Sequence, residues 1–189
     1  MTPGNPVFIT THSARETATL GRFLAHSLKK GQIVGLIGGL GSGKTVLARA
    51  IAGALGIRRL IKSPTFVLIV VYRVKNNGIS SLFHVDCYRV RRLTETDRAA
   101  IMEVIETPRS VTLIEWADRI PALLRRVPER RRASLSLEVR GSKTRCISVL
   151  GALTGSARKW ATAHPSRVRE IAAPPAPGSP DRRRSCAQP

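Results

Sequence analysis

Hydrophobic positions in the first third of the chain follow a helical period, then a continuous run, then a helical period again. Ser13-Ala14-Arg15-Glu16 has the spacing of a capping box, and apolar side chains share one helical face over residues 20–28. Residues 32–37 are almost all apolar, which predicts a strand buried on both faces of a parallel sheet. Residues 44–55 predict a second helix. This region is therefore expected to fold as helix, strand, loop and helix.

The middle of the chain predicts a β-hairpin. β-Branched residues dominate residues 66–74, Asn76-Asn77-Gly78 is a turn sequence, and residues 79–85 are apolar again. We expect this hairpin to end at Asp86.

A helix and two further strand regions follow. Thr94 or Asp97 is expected to cap a helix, and residues 111–114 predict another buried strand, which ends at Glu115. Residues 133–139 alternate between apolar and polar, and residues 146–150 can pair back on them as a terminal hairpin.

Together these elements predict an α/β fold, with a mixed parallel and antiparallel sheet of the P-loop NTPase type, helices on both faces and a terminal β-hairpin. Residues 1–153 are assigned to one domain and residues 154–189 to a basic tail rich in Pro, Ala and Arg that we expect to be disordered.

Charge and composition narrow the function classes. The chain of 189 residues carries a formal net charge of +20, and residues 122–189 hold 15 Lys and Arg against 4 Asp and Glu. Such a balance indicates attraction to polyanions or simply a solvated tail. The absence of a long apolar segment predicts a cytoplasmic protein with no membrane partner. The three cysteines form no CxxC pair, which argues against a zinc site.

A phosphate-binding loop is the strongest chemical signal. Residues 38–45 match G-x-x-x-x-G-K-[ST] between a predicted buried strand and a predicted helix. The loop and the following helix are expected to direct backbone N–H groups at phosphate oxygens, with Lys44 near the β- and γ-phosphates and the Thr45 hydroxyl on Mg²⁺. The nucleotide-binding residues predicted from this motif are Gly38, Gly39, Leu40, Gly41, Ser42, Gly43, Lys44 and Thr45.

Two acids follow predicted strands and are candidates for the metal side of the site. Asp86 and Glu115 each come directly after an apolar run, where the Mg²⁺ of a bound nucleotide would lie, although acids there also begin helices. Thr65 follows Pro64 in a loop and can present its hydroxyl to a γ-phosphate. Trp116 is expected to pack against the nucleotide pocket, and a lone His84 predicts a structural role.

The four segments together resemble a known family. Gly38 to Thr45, Ser63 to Phe66, His84 to Arg89 and Glu115 to Asp118 have the order and spacing of the bacterial tRNA threonylcarbamoyladenosine biosynthesis ATPase family TsaE, also called YjeE. The resemblance covers about residues 8–150. It implies a P-loop ATPase that binds ATP and Mg²⁺ and works with TsaD and TsaB, which attach threonylcarbamoyl to adenosine 37 of tRNA. The tRNA would be met only through that complex.

The resemblance also implies roles for individual residues. Thr45 and Glu115 resemble the Mg²⁺ side, Asp86 a Walker-B-like acid and Thr65 a switch hydroxyl, with Lys44 among the catalytic residues. Glu115 can instead orient the attacking water, and both roles stay open. Thr11, Arg145 and Trp116 are further candidates for nucleotide contact.

This chain departs from the family pattern at several positions. Gly39 stands where the family usually has Asp, and Ser42 where it often has Ala. Val70 and Val71 replace usual acids, at positions that bear on partner docking.

Two other functions fit parts of the sequence. A stand-alone P-loop kinase would need an acceptor pocket or lid that the sequence does not display. A nucleic-acid-binding P-loop protein would use the arginine runs, although only 4% of the residues are aromatic.

Overall fold

A computed structural model describes residues 5–58, 67–76, 78–90 and 92–167. Within these ranges the strands all belong to one sheet. In chain order the elements are β1 (Val7–Thr11), α1 (Ala14–Ala25), β2 (Gln32–Ile37), α2 (Lys44–Ala54), β3 (Ile69–Asn76), β4 (Ile79–Asp86), α3 (Glu95–Glu106), β5 (Ser110–Glu115), α4 (Pro121–Arg125), β6 (Arg132–Val139), β7 (Arg145–Gly151) and α5 (Thr154–Ala163).

The sheet has the spatial order β1-β7-β6-β2-β5-β4-β3. β2 pairs in parallel with β5 and β6, and β4 pairs in parallel with β5. The pairs β3–β4, β6–β7 and β1–β7 are antiparallel. The predicted mixed α/β sheet with its terminal hairpin is therefore confirmed. The apolar strands β2 and β5 lie in the interior of the sheet, where both of their faces are buried.

Successive residues of β2 enter two different hydrophobic clusters, one on each face of the sheet. Val34 packs into a cluster with residues of α1, α2 and α5, whereas Ile33 packs into a cluster with residues of α3 and α4. Because side chains of a strand alternate between faces, this division places helices on both sides of the sheet, as predicted.

Side-chain caps begin α1 and α3, although at α1 the Glu16 carboxylate accepts from the His12 N–H and not from Ser13 as a full capping box would require. The Ser13 hydroxyl accepts a hydrogen bond from the Glu16 N–H and begins α1. α1 ends at Ala25, earlier than the apolar pattern up to residue 28 predicts. Thr94 and Asp97 form a reciprocal capping box at α3, in which each side chain accepts from the other residue's backbone N–H. The Thr94 hydroxyl and the Thr94 backbone N–H both donate to the Asp97 carboxylate, and these two bonds lower the pKa of Asp97 because they favour its charged form.

Two elements at the chain ends correct the predicted organisation. β1 extends the sheet along β7, and the sequence pattern alone did not indicate it. The assigned domain end at residue 153 is too early, since α5 follows it. Trp160 of α5 is only 3% exposed, and its ring lies 5.2 Å from the ring of Phe23 in α1. This burial joins α5 to the folded domain.

Some expectations fall on parts of the chain that the structure does not describe. The Ser63-Pro64-Thr65-Phe66 segment lies outside the described residues, as does the stretch 168–189 of the predicted tail. Over the described ranges, no helix is long and apolar enough to cross a membrane.

Candidate nucleotide-binding site

The carboxyl ends of three neighbouring strands bring the predicted residues together. In the sheet register Glu115 of β5 lies beside Leu36 of β2 on one side and beside Asp86 of β4 on the other. β2 runs directly into the glycine-rich loop, which leads to α2. The loop and both acids are therefore placed at one edge of the sheet, the edge where open α/β sheets bind ligands.

Glycines allow the conformation of the loop between β2 and α2. Gly38, Gly41 and Gly43 have φ angles of 142°, 71° and 106°. A Cβ atom on Gly38 would lie 2.4 Å from the Leu137 carbonyl oxygen and 2.8 Å from the Ser42 hydroxyl oxygen. Only glycine fits there, because both the φ angle and the close backbone exclude a side chain. By contrast, a Cβ on Gly39 would meet nothing within 4 Å.

Lys44 lies inside the loop and is only 5% exposed. Its ammonium group donates hydrogen bonds to the carbonyl oxygens of Gly38 and Gly39, both at 2.8 Å. The Nζ atom also lies 3.9 Å from the ring centroid of Trp116, a cation–π contact. Burial lowers the pKa of Lys44, and the nearby carboxylates of Glu115 and others oppose this shift.

A chain of hydrogen bonds links the helix α2 to two strands. The Thr45 hydroxyl donates to Glu115 Oε2 at 2.8 Å, and Glu115 Oε1 lies 2.9 Å from Nε2 of His84. Glu115 and His84 are 2% and 0% exposed. Because the Thr45 hydroxyl donates its hydrogen bond to the carboxylate, its oxygen lone pairs remain available to a cation.

Asp86 supplies the second carboxylate. It is buried, and its Oδ1 accepts a hydrogen bond of 2.8 Å from the Tyr88 N–H. No group of three or more His, Cys, Asp or Glu side chains in the described ranges can hold a metal alone. Mg²⁺ usually takes one or two carboxylates together with substrate phosphates and water. The donor set of Thr45, Asp86 and Glu115 fits a magnesium ion bound in that way.

These groups surround a cavity of about 420 Å³. Trp116 forms part of its wall and has a left-handed backbone conformation, with φ 58°. The Tyr88 ring lies 5.1 Å from the Trp116 ring, and Arg119 lies over both rings. The described lining residues are Leu40, Gly41, Gly43, Lys44, Thr45, Val46, Asp86, Tyr88, Glu115 and Trp116. The cavity is thus lined by the glycine-rich loop, the Lys44 ammonium group and the carboxylates of Asp86 and Glu115.

Comparison with known proteins identifies the family. Residues 11–147 match the family model described as Threonylcarbamoyl adenosine biosynthesis protein TsaE. This match covers well over half of the chain. The chain belongs to the TsaE family.

Curated relatives agree with this membership. A protein of Treponema pallidum named tRNA threonylcarbamoyladenosine biosynthesis protein TsaE is 34% identical over 139 residues, which is 74% of this chain and 96% of the relative. A Streptomyces coelicolor protein of the same name is 34% identical over 144 residues, covering 76% and 93%. A Mycobacterium tuberculosis protein, also so named, is 36% identical over 107 residues, covering 54% and 64%. The chain therefore spans less than two thirds of the mycobacterial relative.

A solved structure shares the fold. The crystal structure of YdiB from Bacillus subtilis superposes with a TM-score of 0.62 at 24% sequence identity. The superposition covers 87% of this chain and 99% of YdiB. It supports the α/β arrangement of the TsaE chain described here.

Two predicted nucleotide-contacting residues lie outside the cavity wall. Thr11 is buried, and its hydroxyl oxygen lies 2.8 Å from that of Thr17. The Arg145 guanidinium donates to the carbonyl oxygens of Ser42 and Gly41 at 3.1 and 3.2 Å. Arg145 therefore braces the phosphate loop from the terminal hairpin rather than facing the cavity.

Two loop positions where this chain departs from the TsaE pattern, Gly39 and Ser42, can be interpreted from their surroundings. Gly39 has open space around its Cα atom, so the glycine is not sterically required there. The Ser42 hydroxyl is buried and has no hydrogen-bond partner among the described residues. An alanine, which the family often has at this position, would leave no such unpaired group.

The sequence analysis missed three contributors to the site. His84, for which the sequence predicts only a structural role, is fully buried and contacts Glu115. Its position two residues before Asp86 on the same strand is a signal that places both side chains on one face. Tyr88 and Arg119 were given no role in the site. Their sequence signal is that each lies within three residues of a predicted site residue, Asp86 or Trp116.

Proposed function

We propose that this chain is an ATPase subunit that binds ATP with Mg²⁺ in the cavity and hydrolyses it. In this proposal, ATP binding and hydrolysis drive or reset a complex of TsaD and TsaB in the cytoplasm. That complex transfers threonylcarbamoyl to adenosine 37 of tRNA. The observation that carries the proposal is the convergence of Lys44, Thr45, Asp86 and Glu115 on one cavity. Membership of the TsaE family supports the role in tRNA modification.

The residues of this chain divide the proposed work. Loop amides and the N-terminus of α2 bind the phosphates, and Lys44 leaves its carbonyl partners to meet the phosphate charge. Thr45 and Asp86 would hold a magnesium ion, which would neutralise charge on the bound phosphates.

Glu115 is proposed to act mainly on the metal side. Each of its oxygens already has a fixed partner, Thr45 on one and His84 on the other. A carboxylate held in this way orients the threonine hydroxyl.

The test measures ATP and ADP binding through tryptophan fluorescence, with and without Mg²⁺. Trp116 lies in the cavity wall, whereas Trp160 is buried with α5 and supplies a constant background. Lys44→Ala should abolish binding, and Lys30→Ala, which removes an exposed positive charge elsewhere, should not. If wild type binds no nucleotide, the proposal is wrong.

Hydrolysis is then measured with purified TsaD, TsaB and tRNA. The proposal expects slow release of phosphate by the chain alone and faster release when the partners are present. Transfer of the γ-phosphate to a small acceptor, instead of to water, would identify a kinase and contradict the proposal.

A further inference from the structure

The interior of the sheet holds a histidine that the proposed chemistry does not itself use. His84 is 0% exposed, and its only described hydrogen-bonding neighbour is Glu115. The other ring nitrogen, Nδ1, is buried without a hydrogen-bond partner among the described residues. A buried polar group with one satisfied and one unsatisfied nitrogen requires an explanation.

The partners of Glu115 decide which nitrogen of this ring donates. The carboxylate accepts a hydrogen bond from the Thr45 hydroxyl on Oε2, and Oε1 also offers only acceptor positions. His84 Nε2 must therefore carry a hydrogen and donate a hydrogen bond to Oε1.

This hydrogen bond restricts the carboxylate. With Oε1 bound to a ring that is fully enclosed, the Glu115 side chain cannot rotate, and Oε2 stays directed at Thr45. The Thr45 hydroxyl then donates to Oε2, and its lone pairs point away from that bond.

We propose that His84 is a positioning residue that, through Glu115, keeps the Thr45 oxygen ready to bind the cation that accompanies the nucleotide phosphates. His84 itself touches neither nucleotide nor cation. The proposal rests on the magnesium–ATP site proposed above. Hydrogen-bond partners behind metal-binding groups commonly change metal affinity by about 10- to 100-fold.

Two substitutions separate positioning from packing. Gln places an amide N–H near the position of His Nε2 and can still donate to Glu115, whereas Met has a similar length and no donor. Thr112→Val is the matched control, because Thr112 is equally buried on β5 but donates to the Val104 carbonyl instead of to the site.

The measured quantity is the factor by which Mg²⁺ tightens ATP binding, obtained by calorimetric titration with and without Mg²⁺. His84→Met should reduce this factor about 10-fold or more and leave Mg²⁺-free binding unchanged. His84→Gln should retain most of the factor, and Thr112→Val should retain all of it. Equal factors in His84→Met and wild type would overturn the proposal, as would a loss in His84→Gln as large as in His84→Met.

A measurement on the wild-type chain covers the case in which His84→Met does not fold. Imidazole ¹⁵N chemical shifts distinguish the two neutral forms and the doubly protonated ring, and His84→Gln assigns the signal. Hydrogen on Nε2, in either the neutral or the doubly protonated ring, is expected, and hydrogen on Nδ1 alone would overturn the inference. If wild type shows no effect of Mg²⁺ on ATP binding, the proposed function fails first, and this is distinct from a normal effect that His84→Met leaves intact.

Discussion

The phosphate loop, residues 38–45, and the strand-end carboxylates, Asp86 and Glu115, face the same cavity but are held by different interactions. The conformation of the loop depends on its glycines and on hydrogen bonds from Lys44 to the loop's own carbonyl groups. The carboxylates depend on strand register and on side chains far away in the chain, since 70 residues separate Thr45 from Glu115. The shape of the loop is therefore encoded locally, whereas the positions of the two carboxylates depend on how the sheet assembles.

Gly38→Ala should have the largest effect, because it disrupts the loop itself. The added Cβ would lie 2.4 Å from the Leu137 carbonyl oxygen, and the φ angle of 142° strains any other residue. We expect nucleotide binding to fall by about 100-fold or more, both with and without Mg²⁺. Fluorescence titration measures the affinity.

Gly53→Ala is the control for this change. Gly53 lies within α2, and a Cβ there would meet nothing within 4 Å. Binding should be unchanged and the free energy of unfolding should rise by about 0.5–1 kcal/mol. If both variants bind ATP like wild type, the loop is not the phosphate site.

Glu115→Gln should reduce only the gain in ATP affinity that Mg²⁺ provides. The amide of Gln must donate to the Thr45 hydroxyl oxygen if it replaces Oε2, which occupies a lone pair that the cation would use. We expect the Mg²⁺ enhancement of ATP binding to fall about 10-fold or more, with Mg²⁺-free binding retained. Titrations of ATP at several Mg²⁺ concentrations measure this difference.

Glu106→Gln is its charge-matched control, since Glu106 is exposed at the end of α3. It should leave the Mg²⁺ enhancement at the wild-type value. A loss of Mg²⁺-free binding in Glu115→Gln as large as in Gly38→Ala would show that the two halves of the site are not separable.

Arg145→Met should have the smallest effect, because it removes a brace and no cavity group. The guanidinium donates to two loop carbonyls, and hydrogen bonds of this kind contribute about 1 kcal/mol each. Binding should weaken about 10-fold, equally with and without Mg²⁺. Arg140→Met is the control, because within the described residues the Arg140 side chain bonds to Glu138 on the hairpin surface and not to the loop. Similar affinities in the two variants would contradict the bracing role.

Sequence reasoning predicted the locally encoded features well. The glycine pattern, the helix cap at Thr94 and the two acids after apolar runs each lie within a few residues of the signal that reveals them. The roles of Thr65 and of residues 168–189 stay predictions, because they lie outside the described residues.

Features made by distant contacts were not predictable in the same way. Arg145 reaches Ser42 across 103 positions, and His84 reaches Glu115 across 31, so the neighbouring sequence does not show which residue each of them contacts. The helix α5 had a local signal, because Leu153, Ala157 and Trp160 share one face at helical spacing. The many charged and small residues around it concealed that signal.

The two hydrogen bonds from Lys44 to loop carbonyl oxygens limit how tightly a nucleotide can bind. In the proposed function, ATP would compete for an ammonium group that already has partners within the same loop and rests on the Trp116 ring. The observed affinity is the intrinsic affinity multiplied by the fraction of molecules in which this group is released. If the resting arrangement is favoured by about 1.4 kcal/mol, the observed affinity is about 10-fold weaker than the intrinsic one. A partner that shifts this population would tighten ATP binding without touching the nucleotide.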